Sequence, residues 1–82
     1  MTKNLFKKKI LHRAKYRGIK ELDIILRSFV NEYLNNLSVN DLNDLLIFLD
    51  NNDDDIFKFK QGIEDKNIKN NNISKLFKNY NM

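Results

Sequence analysis

The sequence of 82 residues contains no cysteine, no proline and no tryptophan, and it has only two glycines and one histidine. Without cysteine, the chain can form no disulfide framework, no thiolate nucleophile and no cysteine-ligated metal site. The single histidine, His12, leaves no histidine pair for a metal ion. No apolar run approaches the roughly 20 residues that a membrane-spanning helix needs. We therefore expect a small domain that binds no metal and does not insert into a membrane.

The charges that are present are unevenly distributed. The net charge is +4, but residues 1–20 hold eight lysines and arginines and no acid, whereas residues 21–55 hold nine acids and one base. A basic segment of this kind is compatible with nucleic-acid binding. A surface with one basic and one acidic region suits docking onto a protein partner at least as well.

Apolar residues recur at helical spacing from the beginning of the chain. Residues 3–16 are predicted to form a first helix that Thr2 caps and Gly18 closes. Residues 19–36 carry the widest apolar face, as expected for the central helix of a bundle. The apolar faces of these two helices contain Phe6, Ile10 and Ala14, widened by Leu5 and Leu11, and then Ile19, Leu22, Ile25, Leu26, Phe29, Val30, Tyr33 and Leu34.

Three further helices are predicted after residue 37. Ser38 is expected to cap the third helix, with Asp41 at its third position in a pattern like a capping box. Asp53 is expected to cap a short fourth helix, and Gly62 to end it.

A polar, mobile connection over residues 63–71 is expected to lead to a fifth helix over residues 72–80. The sequence thus predicts an all-α fold, a small single-domain five-helix bundle with its core over about residues 3–62. The residues expected to be buried include Leu26, Phe29, Leu45 and Phe57.

The usual constellations of catalytic residues are missing. We expect His12 to be an ordinary, partly exposed side chain. Glu21 and Asp23 are two residues apart on a helix and point to different sides, so they make a poor acid–base pair. The sequence has neither a Ser/His/Asp order nor a glycine-rich phosphate loop. We therefore expect that the chain is not an enzyme and that it acts by surface recognition.

The segment Tyr16-Arg17-Gly18-Ile19-Lys20-Glu21-Leu22-Asp23 is the best candidate for a recognition site. Gly18 either only closes the first helix beside ordinary surface charges, or also lets a partner backbone come close. Arg17 offers a planar fork of five donors. Glu21 can accept hydrogen bonds from that partner, or it can hold Arg17 in position. We expect Arg17 and Glu21 to be surface side chains whose removal leaves folding nearly unchanged.

The same segment resembles the RGxxE signature, often extended to RGxxELD, of the succinate dehydrogenase assembly factor 2 family of flavinylation factors. The preceding Lys9-Ile10-Leu11-His12-Arg13-Ala14 is similar to the family's basic-apolar lead-in. The segment from Leu49 to Gly62 is similar to the family's acidic turn, short aromatic helix and glycine. The resemblance covers about residues 5–62 in order and spacing.

This resemblance implies a five-helix bundle that binds the flavoprotein subunit of succinate dehydrogenase, and possible clients include fumarate reductase. It implies that the chain promotes covalent attachment of FAD to that subunit without binding FAD stably itself. Arg17, Gly18 and Glu21 would form the contact centre with the partner, and Asp23 would be a further contact. The resemblance also implies a monomer when free, in the cytoplasm of a bacterium.

Two other interpretations of the function of this sequence remain. The first helix could bind nucleic-acid phosphates, although the acidic middle of the chain would repel a nucleic-acid backbone lying alongside. The chain could also be a purely structural helical subunit of a larger complex.

Overall fold

Five α-helices make up most of the structure, a computed structural model that describes residues 2–15 and 17–81. No strand occurs within these residues, so the prediction of an all-α, five-helix fold is confirmed. The helices are α1 (Lys3–Arg13), α2 (Lys20–Tyr33), α3 (Val39–Leu49), α4 (Asp53–Lys60) and α5 (Asn72–Lys78), and a 3₁₀ turn (Leu34–Asn36) follows α2.

Side-chain caps fix the start of α1 and of α3 at the predicted residues. The Thr2 hydroxyl accepts a hydrogen bond from the Leu5 N–H at 3.3 Å. The Ser38 hydroxyl accepts one from the Asp41 N–H at 3.2 Å. Each bond satisfies one of the N–H groups that have no partner in the first turn of a helix.

The predicted cap of α4 is wrong by one residue. Asn52 is the cap, because its backbone is extended (φ −72°, ψ 159°) and its side chain accepts from the Asp55 N–H at 2.9 Å. Asp53 is instead the first residue of the helix. Its carboxylate is therefore available for a contact elsewhere in the molecule.

Gly62 ends α4 as predicted. Its φ of +91° lies in the left-handed region that glycine adopts without a steric cost. The Gly62 N–H donates to the Phe59 carbonyl at 3.1 Å, and the Ile63 N–H donates to the Lys58 carbonyl at 3.0 Å. This pair of bonds is the Schellman arrangement, which satisfies carbonyls at a helix end.

The first helix ends earlier than predicted, at Arg13 rather than at residue 16. A hydrogen bond of 2.9 Å from the Ala14 N–H to the Ile10 carbonyl completes its final turn. Gly18 therefore does not close this helix. Tyr16, the last residue of the predicted helix, lies outside the described residues.

The helix with the most extensive contacts is α3, which packs against α1 and α5, and not α2 as expected for the central helix. The predicted apolar face of α2 is nevertheless buried. Leu26 and Phe29 have no exposed surface, and neither does Leu45 of α3. Phe57 was expected to be buried as well, but it is only half-buried, because α4 turns Ile56 into the core instead. On α1 the face of Phe6, Ile10 and Ala14 is buried, whereas Leu5 and Leu11 are exposed and do not widen it.

The core also includes the C-terminal segment, beyond the expected limit near residue 62. The ring of Phe77 is fully buried, 5.2 Å from Phe29 and 5.3 Å from Phe48 between centroids. The Tyr80 ring lies 5.3 Å from Phe29. In the connection over residues 63–71, Ile68 is buried too, so the core anchors that segment.

Lys60 attaches the end of α5 to α4. Its ammonium donates to the carbonyl of Lys78 at 3.0 Å and to the carbonyl of Tyr80, and it lies 5.4 Å from the centre of the Phe77 ring. These carbonyls are at a helix C-terminus, where a cation is favourable. Burial lowers the pKa of Lys60 from its ordinary value, because it penalises the charged form.

Candidate functional site

The candidate recognition segment forms the loop between α1 and α2 and the first turn of α2. The backbone of Ile19 is extended at the N-cap of α2, with no capping bond from its side chain, and its carbonyl accepts from the Asp23 N–H at 2.9 Å. Glu21 and Asp23 lie in the first helical turn, where the helix dipole favours negative charge. The start of α2 is thus stabilised by acidic residues rather than by a side-chain cap.

Arg17 is the most heavily bonded side chain of this loop. Its Nε donates to Asp53 Oδ1 at 2.6 Å. Its two terminal nitrogens donate at 3.0 Å to the carbonyls of Arg13, Leu49 and Asn51. The guanidinium therefore binds the end of α1, the end of α3 and the turn before α4 together.

The second carboxylate oxygen of Asp53 accepts a hydrogen bond from the Gly18 N–H. One carboxylate thus holds both the guanidinium of Arg17 and the backbone of the next residue. The exposed fractions of the two charged side chains are 11% for Arg17 and 24% for Asp53. Hydrogen bonds between charged groups are strong where water is largely excluded. We refer to Arg17, Gly18 and Asp53 as the Arg17 clamp.

The expectation that Arg17 is a surface side chain is therefore wrong. Its donors are directed at acceptors inside the molecule, and its removal should cost stability. The residue that holds Arg17 is Asp53, and no hydrogen bond or ion pair joins the described side chains of Arg17 and Glu21. The sequence contained a sign that Asp53 has another role. Asn52 and Asp53 are both residue types that cap helices, and only one of them can cap α4.

Gly18 is exposed, and its φ does not lie in the left-handed region that favours glycine. What requires a glycine is the proximity of Asp53. A Cβ atom added to Gly18 would lie 2.9 Å from Asp53 Oδ2, closer than a van der Waals contact allows. The bare backbone at this position lets the carboxylate reach the Gly18 N–H.

Glu21 and Asp23 differ in their surroundings. Glu21 is exposed, as expected, and no ion pair involves it among residues 2–15 and 17–81. Asp23 accepts from the Nε of Arg27, one turn further along α2, at 3.0 Å. Of the four predicted site residues, the structure joins Arg17 and Gly18 through Asp53, and it leaves Glu21 and Asp23 in separate settings on α2.

Other parts of the described chain offer little chemistry. His12 is exposed on α1, as expected for an ordinary surface histidine. Within the residues that the structure describes, no group of three or more histidine, aspartate or glutamate side chains is placed to hold a metal ion. None of the helices in this part of the chain has the length and apolar character that crossing a bilayer requires.

These features define a small all-α protein that presents the bare backbone of Gly18 and the exposed carboxylate of Glu21 at its surface. Over residues 8–81 the chain matches the family described as flavinator of succinate dehydrogenase, and it belongs to that family. The match supports a role as an assembly factor in the flavinylation of succinate dehydrogenase. It reaches residue 81, whereas the resemblance found in the sequence ends near residue 62. The chain has no significant match among curated proteins or among solved structures.

Proposed function

We propose that this protein binds the flavoprotein subunit of succinate dehydrogenase and promotes the covalent attachment of FAD to a histidine of that subunit. The observation that carries the proposal is the family match over residues 8–81. The exposed Gly18 and Glu21 beside the ordered loop supply a surface through which such binding could occur.

In this proposal the protein acts by positioning, and the bond chemistry belongs to the flavin and to the subunit. Holding reacting groups in a productive geometry lowers a barrier without any group of the factor taking part in the reaction. The factor then needs no catalytic residue and no stably bound FAD. It needs a rigid surface that favours one conformation of the subunit.

The docking centre that we assign consists of Gly18 and Glu21, with Asp23 as a further contact. Arg17 acts from beneath this centre as a positioning residue, since its hydrogen bonds to Asp53 and to three carbonyls hold the loop. Glu21 is the group best placed to meet a cation of the subunit, because it is exposed and lies in the first turn of α2.

The test is co-expression of the flavoprotein subunit with and without this chain, followed by in-gel fluorescence of the covalently bound flavin and by a pull-down. Wild-type chain should raise covalent flavin. Glu21→Ala should weaken binding by about 2 kcal/mol or more, as expected for a charged contact at the centre of an interface. Its effect on folding should stay below about 0.5 kcal/mol, because the side chain is exposed.

Glu32→Ala is the matched control, since Glu32 is also exposed on α2 but lies near the opposite end of the helix. It should leave binding and flavin attachment unchanged. Equal covalent flavin with and without the wild-type chain would refute the proposed function. Equal effects of the two glutamate variants would refute the assigned docking centre.

Nucleic-acid binding is the second candidate, favoured by the exposed lysines of α1 such as Lys8 and Lys9. Contacts with phosphates release counterions, so affinity for a nucleic acid should fall steeply as salt rises. A titration of the chain with duplex and single-stranded DNA at low and moderate salt tests this. Affinity that is measurable at low salt, falls steeply as salt rises and is lost when both lysines are changed to glutamine would favour the second candidate over the first.

A further inference from the structure

An apolar groove runs between α2 and α4 beside the docking centre. Five residues line it: Glu21, Leu22, Ile25, Phe57 and Lys60. Leu22 is buried, whereas Ile25 and Phe57 are only half-buried and pack against the edge of the core. The groove thus exposes part of two large apolar side chains within reach of Glu21.

The volume of the groove indicates what can occupy it. It measures about 250 Å³, which is less than the roughly 300–1,000 Å³ of pockets that enclose drug-sized ligands. A flavin with its nucleotide is too large for such a space. One large apolar side chain from a protein partner fits the size and the character of the groove.

The charges around the groove favour a basic neighbour for that side chain. The ammonium of Lys60 is turned towards the carbonyls of Lys78 and Tyr80 at the end of α5. The carboxylate of Glu21 is exposed and has no ion-pair partner among the described residues. The rim of the groove therefore presents a carboxylate that forms no ion pair within the described part of the chain.

We propose that this groove holds a large apolar side chain of the flavoprotein subunit, and that an arginine or lysine next to that side chain pairs with Glu21. The inference rests on the proposed function and names the segment of the partner that the docking centre recognises. Apolar anchors that fill a pocket, surrounded by polar contacts at the rim, dominate binding at many protein interfaces. Electrostatic complementarity at the rim then fixes the register of the bound segment.

The first test compares two neighbouring isoleucines of α2. Ile25 lines the groove, whereas Ile24 has 48% of its surface exposed and is not part of the lining. The Kd of the full-length chain for the purified flavoprotein subunit should rise about tenfold or more for Ile25→Gln. For Ile24→Gln it should stay within about twofold of the wild type. Equal Kd values for the two variants would overturn the proposal.

The second test does not depend on the stability of a core variant. A photoreactive phenylalanine analogue replaces Phe57 in the groove or Ile47, an exposed residue of α3 that serves as control. After irradiation of the complex, the analogue at position 57 should cross-link to a segment of the subunit that contains an arginine or lysine. Cross-linking to a second copy of this chain, to FAD or to a segment without a basic residue would overturn the proposal, as would equal cross-linking from position 47.

The outcomes also separate this inference from the proposed function. If the wild-type chain does not bind the subunit at all, the proposed function fails and the groove has no such partner. If the wild type binds but Ile25→Gln binds equally well, only the groove assignment fails.

Discussion

The loop between α1 and α2 and the segment that carries α5 are both attached to the α3–α4 region, but by different interactions. Polar contacts of Arg17 attach the loop to the carbonyls of Leu49 and Asn51 and to Asp53. Aromatic rings attach the C-terminal segment, where Phe77 lies 5.3 Å from Phe48 and contacts Phe29 edge-on.

The two attachments contribute differently to the stability of the protein and to the geometry of its surface. Burial of apolar surface is non-directional and roughly proportional to area, so the aromatic contacts contribute mainly stability. Hydrogen bonds weaken steeply when their angles change, so the Arg17 clamp fixes the orientation of the loop. We conclude that the aromatic attachment holds the bundle together and that the polar attachment shapes the surface proposed for docking.

The largest expected effect tests the aromatic attachment. Phe29→Ala should destabilise the protein by about 3–5 kcal/mol, because a fully buried ring leaves a cavity. That loss is a large part of the roughly 5–15 kcal/mol by which small domains are stable. Urea unfolding followed by circular dichroism measures it. A loss below about 1 kcal/mol would contradict the central position of this ring.

The next effect tests the polar attachment. Arg17→Ala and Asp53→Ala should each cost about 2–3 kcal/mol, somewhat less than the loss of one partner from a fully buried pair, because both side chains keep some exposure. The double variant should cost clearly less than the sum, since the two residues share one interaction. Arg17→Lys should restore little, because an ammonium cannot reproduce the planar fork.

Asp23→Ala is the control for this pair of variants. The Asp23 side chain is as shielded as that of Asp53, at 23% against 24% exposed, but its partner Arg27 is 48% exposed whereas Arg17 is 11% exposed. Pairs at this spacing on a helix surface contribute only about 0.3–0.5 kcal/mol. Equal losses for Asp23→Ala and Asp53→Ala would remove the distinction between the clamp and ordinary surface charges.

A smaller effect tests why residue 18 is a glycine. Gly18→Ala should cost about 1 kcal/mol, because the new Cβ displaces the carboxylate of Asp53. In an Asp53→Ala background this cost should vanish, as expected for residues in direct contact. Gly62→Ala should cost a similar amount in either background, because its φ of +91° strains any other residue. Thermal melts of the four combinations distinguish a close approach from backbone strain.

The smallest effect concerns Lys60, a charged group of the aromatic attachment. Its folded-state pKa is lowered by burial, so between that pKa and its ordinary value of 10.5 the unfolded chain binds more protons than the folded one. Stability linked to Lys60 should therefore rise with pH through this window, and the penalty should be present in full below it. Urea unfolding of the wild type and of Lys60→Met, from neutral to alkaline pH, measures this contribution of Lys60 to the free energy of unfolding. An unchanged difference between the two proteins would contradict it.

Local sequence patterns were sufficient to predict the helices that make the core. The spacing of Leu22, Leu26 and Phe29 gave the phase of α2, and Ser38 marked the start of α3, because both signals act within a few residues. The half-buried position of Phe57 could not be predicted, since it depends on how α4 is rotated against α2. A short helix of eight residues carries too few apolar positions to define that rotation.

The contacts that hold the motif residues in place could not be predicted from the sequence. The motif residues drew attention to Arg17, Gly18 and Glu21, and two of these are exposed in the loop and in α2. The bonds of Arg17 reach residues 32 to 36 positions away. No periodicity within one helix reports contacts at that distance, so the pairing of Arg17 with Asp53 became visible only in three dimensions.

The long reach of Arg17 also bears on the order in which the protein folds. Its acceptors at Leu49, Asn51 and Asp53 belong to the second half of the chain, whereas helical hydrogen bonds close over four residues. Closing so long a loop costs entropy that only contacts formed elsewhere can offset. We therefore expect the loop around Gly18 to take its final shape after α3 and α4 have packed. A chain emerging from the ribosome, or one partly unfolded by stress, would then carry the motif without its geometry. Under the proposed function, only the fully folded protein would bind the flavoprotein subunit.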